Sequence, residues 1–292
     1  IGVSISKKLD GSTLKQTNVQ FLIQEAKQQI VKYYANQNIT HIIINKYKID
    51  GIDYSYLPNN IKCYVISLDI LFICLPTELV FYYKKIFAKS NILINQIICS
   101  SYAKSINYKD NLNLNDHVSF VDIGFNKTSI ISFFNDKILS LNVLLLGGNN
   151  ITKDISQILK IDIEESERLK CNFDQNIKLF NNVDISAEVL KKIIFARIEE
   201  ILELCVKSIE LNSHVLGKSK IVLIGMGSKI LDNQYKDTIS ISNDLEFLDE
   251  TLEDICQSGL KSVTKLNKHE VIMVPKRQIK QGFFEKLFHF FN

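Results

Sequence analysis

Tryptophan is absent from this sequence, and proline and glycine are scarce, with 3 Pro and 11 Gly among 292 residues. Hydrophobic residues make up 46% of the chain and charged residues 23%, which is a globular composition. A chain of this length can bury a large core, in two domains or in a single large one.

Long apolar runs and ordered cysteine patterns are also lacking. No uninterrupted apolar stretch approaches the roughly 20 residues that a membrane-spanning helix needs, and no signal peptide opens the chain. The 6 cysteines are scattered and have no Cys-x-x-Cys spacing, which argues against a disulfide framework and against paired zinc ligands. The sequence therefore predicts a protein of the reducing cytoplasm.

Positive charge is not concentrated either. The formal net charge is only +3, and no basic stripe with interleaved aromatic residues occurs. Binding to nucleic acid depends on such a concentration of Lys and Arg. Nucleic acid is therefore not predicted as a partner.

Residues 1–110 alternate between strand and helix patterns. The chain begins at Ile1 and IGVSIS already has the pattern of a strand, so we expect the natural N-terminus to lie further upstream. A helix capped by Thr17 or Asn18 is predicted to run to about Tyr34. The other predicted elements are strands at 41–45, 47–52, 61–67, 68–75 and 92–99, and a helix from Pro76-Thr77 to about Lys89.

From Asn111 onwards the pattern changes. A buried strand and its antiparallel partner are predicted first, then a third strand that ends at Gly147-Gly148, then helices, and then a strand that ends in Gly225-Met226-Gly227-Ser228. The predicted strands are 117–123, 128–134, 138–146 and 221–224, and the predicted helices are 149–159, 163–170 and 186–213.

Several of these elements end in residues that suit phosphate binding. Asp122 lies at the end of a predicted strand, where a carboxylate can hold magnesium or its waters. Turn glycines let backbone N–H groups approach phosphate, and a helix N-terminus favours an anion. Each feature alone also has a structural explanation. Gly124 permits a hairpin, Gly147-Gly148 a turn before a helix, and Glu167 with Lys170 a solvated pair on a helix surface.

Three segments, taken in order, resemble the actin and heat-shock-protein ATPase superfamily and, within it, the FtsA cell division family. FVDIGFNKTSIISF is similar to the second phosphate loop, usually VDIGGGTTDIAV. LLLGGNNITKDISQILKIDIEESERLK is similar to the family's GGNxxTxDIA followed by AExLK, and IVLIGMGSKI is similar to the adenosine loop, usually VVLTGGGA. Their order and separations agree with the family over residues 116–230.

The resemblance implies a nucleotide site for ATP and magnesium. In it, Asp122 would contact magnesium or its waters, and Glu167 with Lys170 would flank the adenosine. The residues that match the family are Asp122, Gly124, Thr128, Gly147, Gly148, Asn149, Glu167, Lys170, Gly225 and Gly227. The chain departs from the family at Phe125-Asn126, Ser129 and Met226, which stand where the family has glycines and an aspartate. We therefore expect a nucleotide-binding adaptor with weak ATPase activity at most, rather than an enzyme.

The resemblance also implies an α/β fold with an actin-like (ribonuclease H-like) core. Residues 1–110 would be the βα module, similar to SHS2 domains, that FtsA proteins insert into this core. Residues 111–273 would be the ATPase domain with its adenosine-side helical subdomain, and residues 274–292 a linker and a terminal helix. The first phosphate loop of the superfamily precedes the insertion and is not in this sequence, so the chain looks like an FtsA without its first subdomain.

The last residues predict an amphipathic helix. If 282–291 is helical, its apolar side chains lie on one face, and basic residues accompany them. The predicted membrane-binding residues are Lys280, Phe283, Phe284, Lys286, Leu287, Phe288 and Phe291. The segment is too short to span a bilayer, so it would lie in the interface of an anionic membrane or pack on its own domain. Because FtsA proteins end in such a helix, the resemblance favours the membrane.

The predicted function is that of a cell division protein. By resemblance, it would anchor the FtsZ ring to the cytoplasmic face of the inner membrane at the septum, as a peripheral protein. It would self-associate into actin-like filaments and bind FtsZ and other division proteins. The alternatives are a pilus-assembly protein of the same fold, a sugar-kinase-like or chaperone-like ATPase, and an unrelated structural protein.

Overall fold

The computed structural model describes residues 1–114, 117–134, 137–173, 187–212, 219–231, 244–264 and 270–271. The chain divides into two compact units. Unit 1 holds residues 1–97 and the short described segment 270–271, and unit 2 holds the described residues between 98 and 264. The first unit thus ends earlier than residue 110, where the sequence analysis placed its boundary. The reason is that α3 (Ser100–Asn111) packs against α7 (Leu252–Thr264), which belongs to unit 2.

Unit 1 is a four-stranded antiparallel sheet with two helices. Its strands are β1 (Gly2–Lys8), β2 (Gln37–Ile49), β3 (Ile52–Tyr54) and β4 (Val65–Pro76), in the spatial order β1-β4-β2-β3. The helices are α1 (Gln16–Tyr33) and α2 (Thr77–Ala88). The buried side chains of α1 recur at helical spacing and join the apolar core of the sheet, at Val19, Leu22, Ile23, Ala26 and Ile30.

The strands of unit 1 differ from the predicted ones because β2 and β4 are long. Two register shifts, at Ile39/His41 and at Ile44/Lys46, bend β2 without ending it, so what the sequence pattern divided into two strands is one. Residues 92–99, predicted as a strand, have no regular secondary structure. Asn18 does not precede α1 as its cap. It lies inside the first turn, where its side-chain oxygen accepts from the Lys15 N–H at 2.9 Å.

Unit 2 is built on a five-stranded mixed sheet. Its strands are β5 (Val118–Ile123), β6 (Thr128–Phe134), β7 (Lys137–Leu144), β8 (Lys220–Ile224) and β9 (Leu245–Phe247), in the order β7-β6-β5-β8-β9. β5 and β6 form an antiparallel pair, whereas β8 lies parallel to β5 on its other side. The C-terminal ends of β5 and β8 therefore meet at one edge of the sheet, where parallel sheets commonly form their binding sites.

Helices cover both faces of the central strand of unit 2. They are α4 (Gly148–Leu159), α5 (Ile163–Cys171) and α6 (Ala187–Asn212), together with α3 and α7. Val121 and Ile123 of β5 belong to the apolar core that α4, α5 and α6 share. Because side chains alternate along a strand, Asp122 points to the opposite face, towards α3.

The predicted membrane-binding segment lies outside the described residues. This applies to all of its named members, which are Lys280, Phe283, Phe284, Lys286, Leu287, Phe288 and Phe291. Among the helices that the structure describes, none is both long enough and apolar enough to cross a bilayer.

Candidate functional site

The hairpin that joins β5 to β6 holds the first turn of α4. The Gly124 N–H donates to the Lys127 carbonyl at 3.0 Å and closes the hairpin. The first amides of α4 then donate into this loop, from Gly148 to the Gly124 oxygen at 2.9 Å and from Asn149 to the Phe125 oxygen at 2.7 Å. Backbone groups that are free at many helix N-termini are thus already paired with the protein.

Gly147 makes this close contact sterically possible. A Cβ at Gly147 would lie 2.5 Å from the Gly124 oxygen and 2.7 Å from the Phe125 oxygen, well inside van der Waals distance. Its own N–H donates to Asn150 Oδ1 at 3.0 Å. Gly147 is required because two backbone segments touch at this position. Allowing a turn before a helix is therefore only part of the role of Gly147.

Lys170 of α5 connects that helix to the start of α4. Its ammonium donates to the Gly148 oxygen at 3.1 Å, to Thr152 Oγ1 at 2.8 Å and to Glu167 Oε2 at 2.6 Å. Thr152 in turn donates to the same Glu167 oxygen. Lys170 is buried, so the pair is not merely a solvated contact on a helix surface.

The ionisation of Glu167 reflects these contacts. Partial burial raises its pKa, but hydrogen bonds from Lys170 and Thr152 and the charge of Lys170 outweigh it, and the net pKa is lowered. The carboxylate therefore stays charged at neutral pH. The Lys170 ammonium also lies 5.4 Å from the centre of the Phe125 ring, within the range of a cation–π contact.

The loop after β8 approaches the end of β5 through two glycines. Gly225 has φ of +92°, and a Cβ there would lie 2.3 Å from Asp122 Oδ1 and 2.6 Å from the Ile123 oxygen. A Cβ at Gly227 would lie 2.7 Å from Ile123 Cγ2. Neither position accepts a side chain without movement of its neighbours, so the resemblance to the glycine-rich adenosine loop has a steric basis here.

Asp122 is held by a buried polar cluster that the sequence analysis missed. Its Oδ2 accepts from the Ser101 hydroxyl at 2.7 Å and its Oδ1 from the Lys104 ammonium at 2.9 Å. Lys104 also donates to Glu250 Oε2 at 3.0 Å, and the Gly225 N–H donates to that same oxygen at 2.6 Å. The partners are too far apart in the chain for a local motif to join them.

A tyrosine lies beside this cluster. Burial, and then the neighbouring Glu250 carboxylate, raise the pKa of Tyr108, so its phenol is protonated at neutral pH. A neutral phenol adds no charge to the cluster, whose charges are those of Lys104, Asp122 and Glu250.

A cavity of about 400 Å³ opens at the edge of the sheet where the glycine loops meet. Its lining residues are Gly124, Phe125, Gly148, Ile151, Glu167, Lys170, Cys171, Phe173, Met226, Gly227, Lys229 and Ile230. Five predicted site residues are among them, namely Gly124, Gly148, Glu167, Lys170 and Gly227. The other lining residues were not predicted as site residues, although most of them lie inside the quoted motifs, and the sequence analysis noted Phe125 and Met226 only as departures from the family.

The other five predicted site residues lie behind the lining. Asp122, Gly147 and Gly225 support the loops from beneath through the close contacts given above. Thr128 is fully buried, and its hydroxyl donates to the Leu146 oxygen at 2.8 Å. The side-chain amide of Asn149 donates to Asn126 Oδ1 at 2.9 Å, and this contact is exposed.

The cavity and the Asp122 cluster differ in how well they fit ATP and magnesium. The volume and the largely apolar lining suit a nucleoside-sized group. Magnesium needs close to six oxygen ligands at about 2.0–2.1 Å. Both Asp122 oxygens already accept hydrogen bonds, one of them from an ammonium, and no group of three metal-ligating side chains occurs among the described residues. With an ammonium on Oδ1, these residues do not fit a magnesium ion bound directly to Asp122, and a contact through the waters of the ion stays a prediction.

Comparisons with known proteins agree with this architecture. The sequence model of the family described as "Cell division protein FtsA" matches residues 119–255. FtsA of Bacillus subtilis (strain 168) is 42% identical over 81 residues, which are 28% of this chain and 17% of that protein. FtsA of Buchnera aphidicola subsp. Acyrthosiphon pisum is 21% identical over 297 residues, covering 90% of this chain and 71% of its own length.

A solved structure shows the same fold across both units. The PilM-PilN type IV pilus biogenesis complex matches with a TM-score of 0.59 at 15% identity, over 90% of this chain and 73% of that one. The β5–β6 hairpin, the glycine turn before α4 and the loop after β8 define an actin-like ATPase fold, as predicted. Within that class the chain is similar to FtsA cell division proteins. It spans less than two thirds of the length of most of the curated relatives that it matches.

Proposed function

We propose that this FtsA-like chain is a cell division adaptor that binds an adenine nucleotide in the cavity of unit 2. The observation that carries the nucleotide proposal is that three separate glycine turns meet around that cavity. The motifs of these turns are those that resemble the phosphate and adenosine loops.

The lining chemistry supports a nucleotide with its base buried. Ile151, Phe173 and Ile230 provide apolar surface against which a base can pack. Glu167 is partly exposed and ionised, and it can accept from ribose hydroxyls. Lys229 adds a partly exposed cation at the rim, where it pairs with Asp249 at 2.8 Å.

We expect little hydrolysis from this chain. The first amides of α4 are paired with the Gly124 and Phe125 oxygens, and Ser129 stands where the family has a carboxylate. Fast phosphoryl transfer needs donors and charges that meet the transferring phosphate. A turnover assay with ATP measures this directly, and robust turnover would favour the sugar-kinase-like or chaperone-like alternative.

Nucleotide binding is tested by closing the cavity from a glycine that tolerates a side chain. A Cβ at Gly148 meets only the Lys170 ammonium at 3.5 Å and backbone atoms at 3.8 Å or beyond, so a side chain can begin there without a backbone clash. Because Gly148 lines the cavity, we expect Gly148→Leu to reduce its volume. We expect ATP or ADP affinity, measured by calorimetry, to fall by about tenfold or more. The matched control is Gly259→Leu in α7, where a Cβ meets nothing within 4 Å. Equal affinity in both variants would rule the cavity out.

The membrane part of the proposal rests on the amphipathic pattern of 282–291. Basic residues near an anionic surface contribute about 1 kcal/mol each, and apolar side chains in the interface add to this. Phe284→Ser with Phe288→Ser should abolish sedimentation with anionic vesicles. The control pair Glu285→Ser with His289→Ser alters the opposite face of the predicted helix and should preserve sedimentation with the vesicles. A helix that packs on its own domain would instead leave vesicle binding unchanged in both pairs.

The adaptor role further requires FtsZ and self-association. We propose that the protein works as a peripheral protein on the cytoplasmic face of the inner membrane at the septum. Co-sedimentation of the full chain with FtsZ polymers, with and without vesicles, tests the link. Electron microscopy with ATP tests for filaments.

A pilus-assembly role is the second candidate. It is favoured by the match to the PilM-PilN complex, which extends over 90% of this chain and so includes unit 1. A likeness at 15% identity concerns the fold alone, whereas the family and the curated relatives carry the division name. Failure to bind FtsZ under any nucleotide condition would favour the pilus role.

A further inference from the structure

A buried ammonium lies beneath the cavity, where the sequence analysis expected magnesium. Lys104 of α3 is only 3% exposed, and Glu250 only 1%. The ammonium lies 2.9 Å from Asp122 Oδ1 and 3.0 Å from Glu250 Oε2. Lysine is rarely this buried unless it is paired, and here it has two carboxylate partners.

Both carboxylate oxygens of Asp122 already have a donor, and one of these donors is a cation. Ser101 donates to Oδ2 and Lys104 to Oδ1. A divalent ion on either oxygen would be repelled by the Lys104 ammonium, which lies 2.9 Å from Oδ1, unless that ammonium moved away. Displacing Lys104 would also remove the ammonium from Glu250, which has almost no access to water.

The cluster is joined to the cavity through one residue. The Gly225 N–H donates to Glu250 Oε2 at 2.6 Å, and Gly225 precedes the turn whose members Met226 and Gly227 line the cavity. Lys104 therefore stabilises the loop that a nucleotide would contact, by neutralising part of the charge beneath it.

We infer that Lys104 is a built-in counter-ion that replaces a divalent cation at Asp122, and that nucleotide binding by this chain is therefore independent of magnesium. The second half of this inference rests on the proposed nucleotide function. The first half concerns only residues 101, 104, 122 and 250, and it can be tested without nucleotide.

The nucleotide-free test uses Mn²⁺ as a probe of the full chain, followed by electron paramagnetic resonance. The wild-type protein should leave Mn²⁺ free, and Lys104→Ser, which exposes both carboxylates, should bind it. Lys109→Ser is the matched control, a buried lysine further along the same helix, and it should leave Mn²⁺ free. Mn²⁺ binding by the wild type that Asp122→Asn abolishes would overturn the inference, even if no nucleotide binds and the proposed function fails.

The nucleotide test compares ADP affinity in magnesium and in EDTA. The ADP affinities of the wild type in magnesium and in EDTA should differ by no more than about twofold. The ratio of these two affinities should be the same in Asp122→Asn. This variant keeps the Lys104–Glu250 pair and the Asn oxygen, so it is expected to fold even if Lys104→Ser does not. An affinity at least tenfold higher in magnesium, lost in Asp122→Asn, would show a metal on Asp122 and refute the counter-ion. Failure of ADP to bind in either condition would refute the nucleotide function and the magnesium-independence drawn from it.

Discussion

The two units of this protein use glycine and buried charge in different ways. In unit 1, Gly51 has φ of +89° in the turn between β2 and β3, and a Cβ there would meet nothing within 4 Å. In unit 2, Gly225 has nearly the same φ, +92°, but a Cβ would collide with Asp122 and Ile123. The first glycine serves only the turn, whereas the second also lets two strand ends touch.

One lysine–carboxylate pair from each unit, Lys46–Asp53 and Lys104–Glu250, shows the same contrast. Lys46 and Asp53 of unit 1 meet at 3.0 Å with 43% and 53% of their side chains exposed. Lys104 and Glu250 of unit 2 meet at the same distance with 4% and 1% exposed. Close backbone approach and buried charge thus occur together at the edge of the sheet where the cavity lies. This combination, rather than any glycine alone, distinguishes a site from a scaffold.

The largest effect is expected from removing the buried ammonium. Lys104→Met leaves the Asp122 and Glu250 carboxylates without the Lys104 cation, and breaking a buried ion pair in this way costs about 3–5 kcal/mol. Lys46→Met in unit 1 should cost about 0–1 kcal/mol, because its pair is exposed. Hydrogen exchange, measured separately on the strands of each unit, gives the loss of stability in each of the two variants. Similar losses in the two variants would remove the contrast between the units.

A methyl group at Gly51 or at Gly225 separates backbone strain from steric collision. Gly51→Ala should destabilise unit 1 by about 1–2 kcal/mol, the cost of a left-handed conformation for a residue with a Cβ. Gly225→Ala adds overpacking of about 1–3 kcal/mol, and should raise exchange in β5 and β8. If Gly225→Ala costs no more than Gly51→Ala, the close approach beneath the cavity is relaxed easily and does not constrain the site.

The sequence predicted the parts of unit 2 that are local in the chain. The β5–β6 hairpin, the glycine turn before α4 and the α5 pair Glu167 and Lys170 each fall within a short motif, so residue type and spacing were enough. Thr152 was missed because its role depends on how α4 and α5 pack. Lys104 and Glu250 were missed because they are 146 residues apart, and nothing in a single sequence joins them.

Unit 1 shows a different limit of prediction. Strand patterns rely on strict alternation of side chains, and the register shifts in β2 interrupt that alternation without ending the strand. Likewise α3 is the next helix along the chain after α2 of unit 1. Only the packing of α3 against α7 assigns it to unit 2.

The smallest expected effect concerns the pH dependence of the α4–α5 contact. The folded pKa of Glu167 lies below its ordinary value of 4.5 because the hydrogen bonds from Lys170 and Thr152 outweigh the effect of burial. A carboxyl with a lowered folded pKa stabilises the fold above its unfolded pKa, and this stability is lost as the pH falls through the folded value. Glu167 is 37% exposed, so the contribution is discounted for solvent screening to under about 1 kcal/mol.

Glu167→Gln tests this contribution. The variant keeps a side chain that can accept from Lys170 but does not titrate, so its stability should fall less steeply than that of the wild type between neutral pH and pH 3. Exchange rates along α4 and α5 measured across that range give the difference, and the strands of unit 1 serve as an internal reference in the same sample. Parallel curves for the two proteins would mean that the Glu167 charge adds nothing to the α4–α5 contact. That contact would then rest on the Lys170 hydrogen bonds to the Gly148 carbonyl and to Thr152, and on the apolar core that the two helices share.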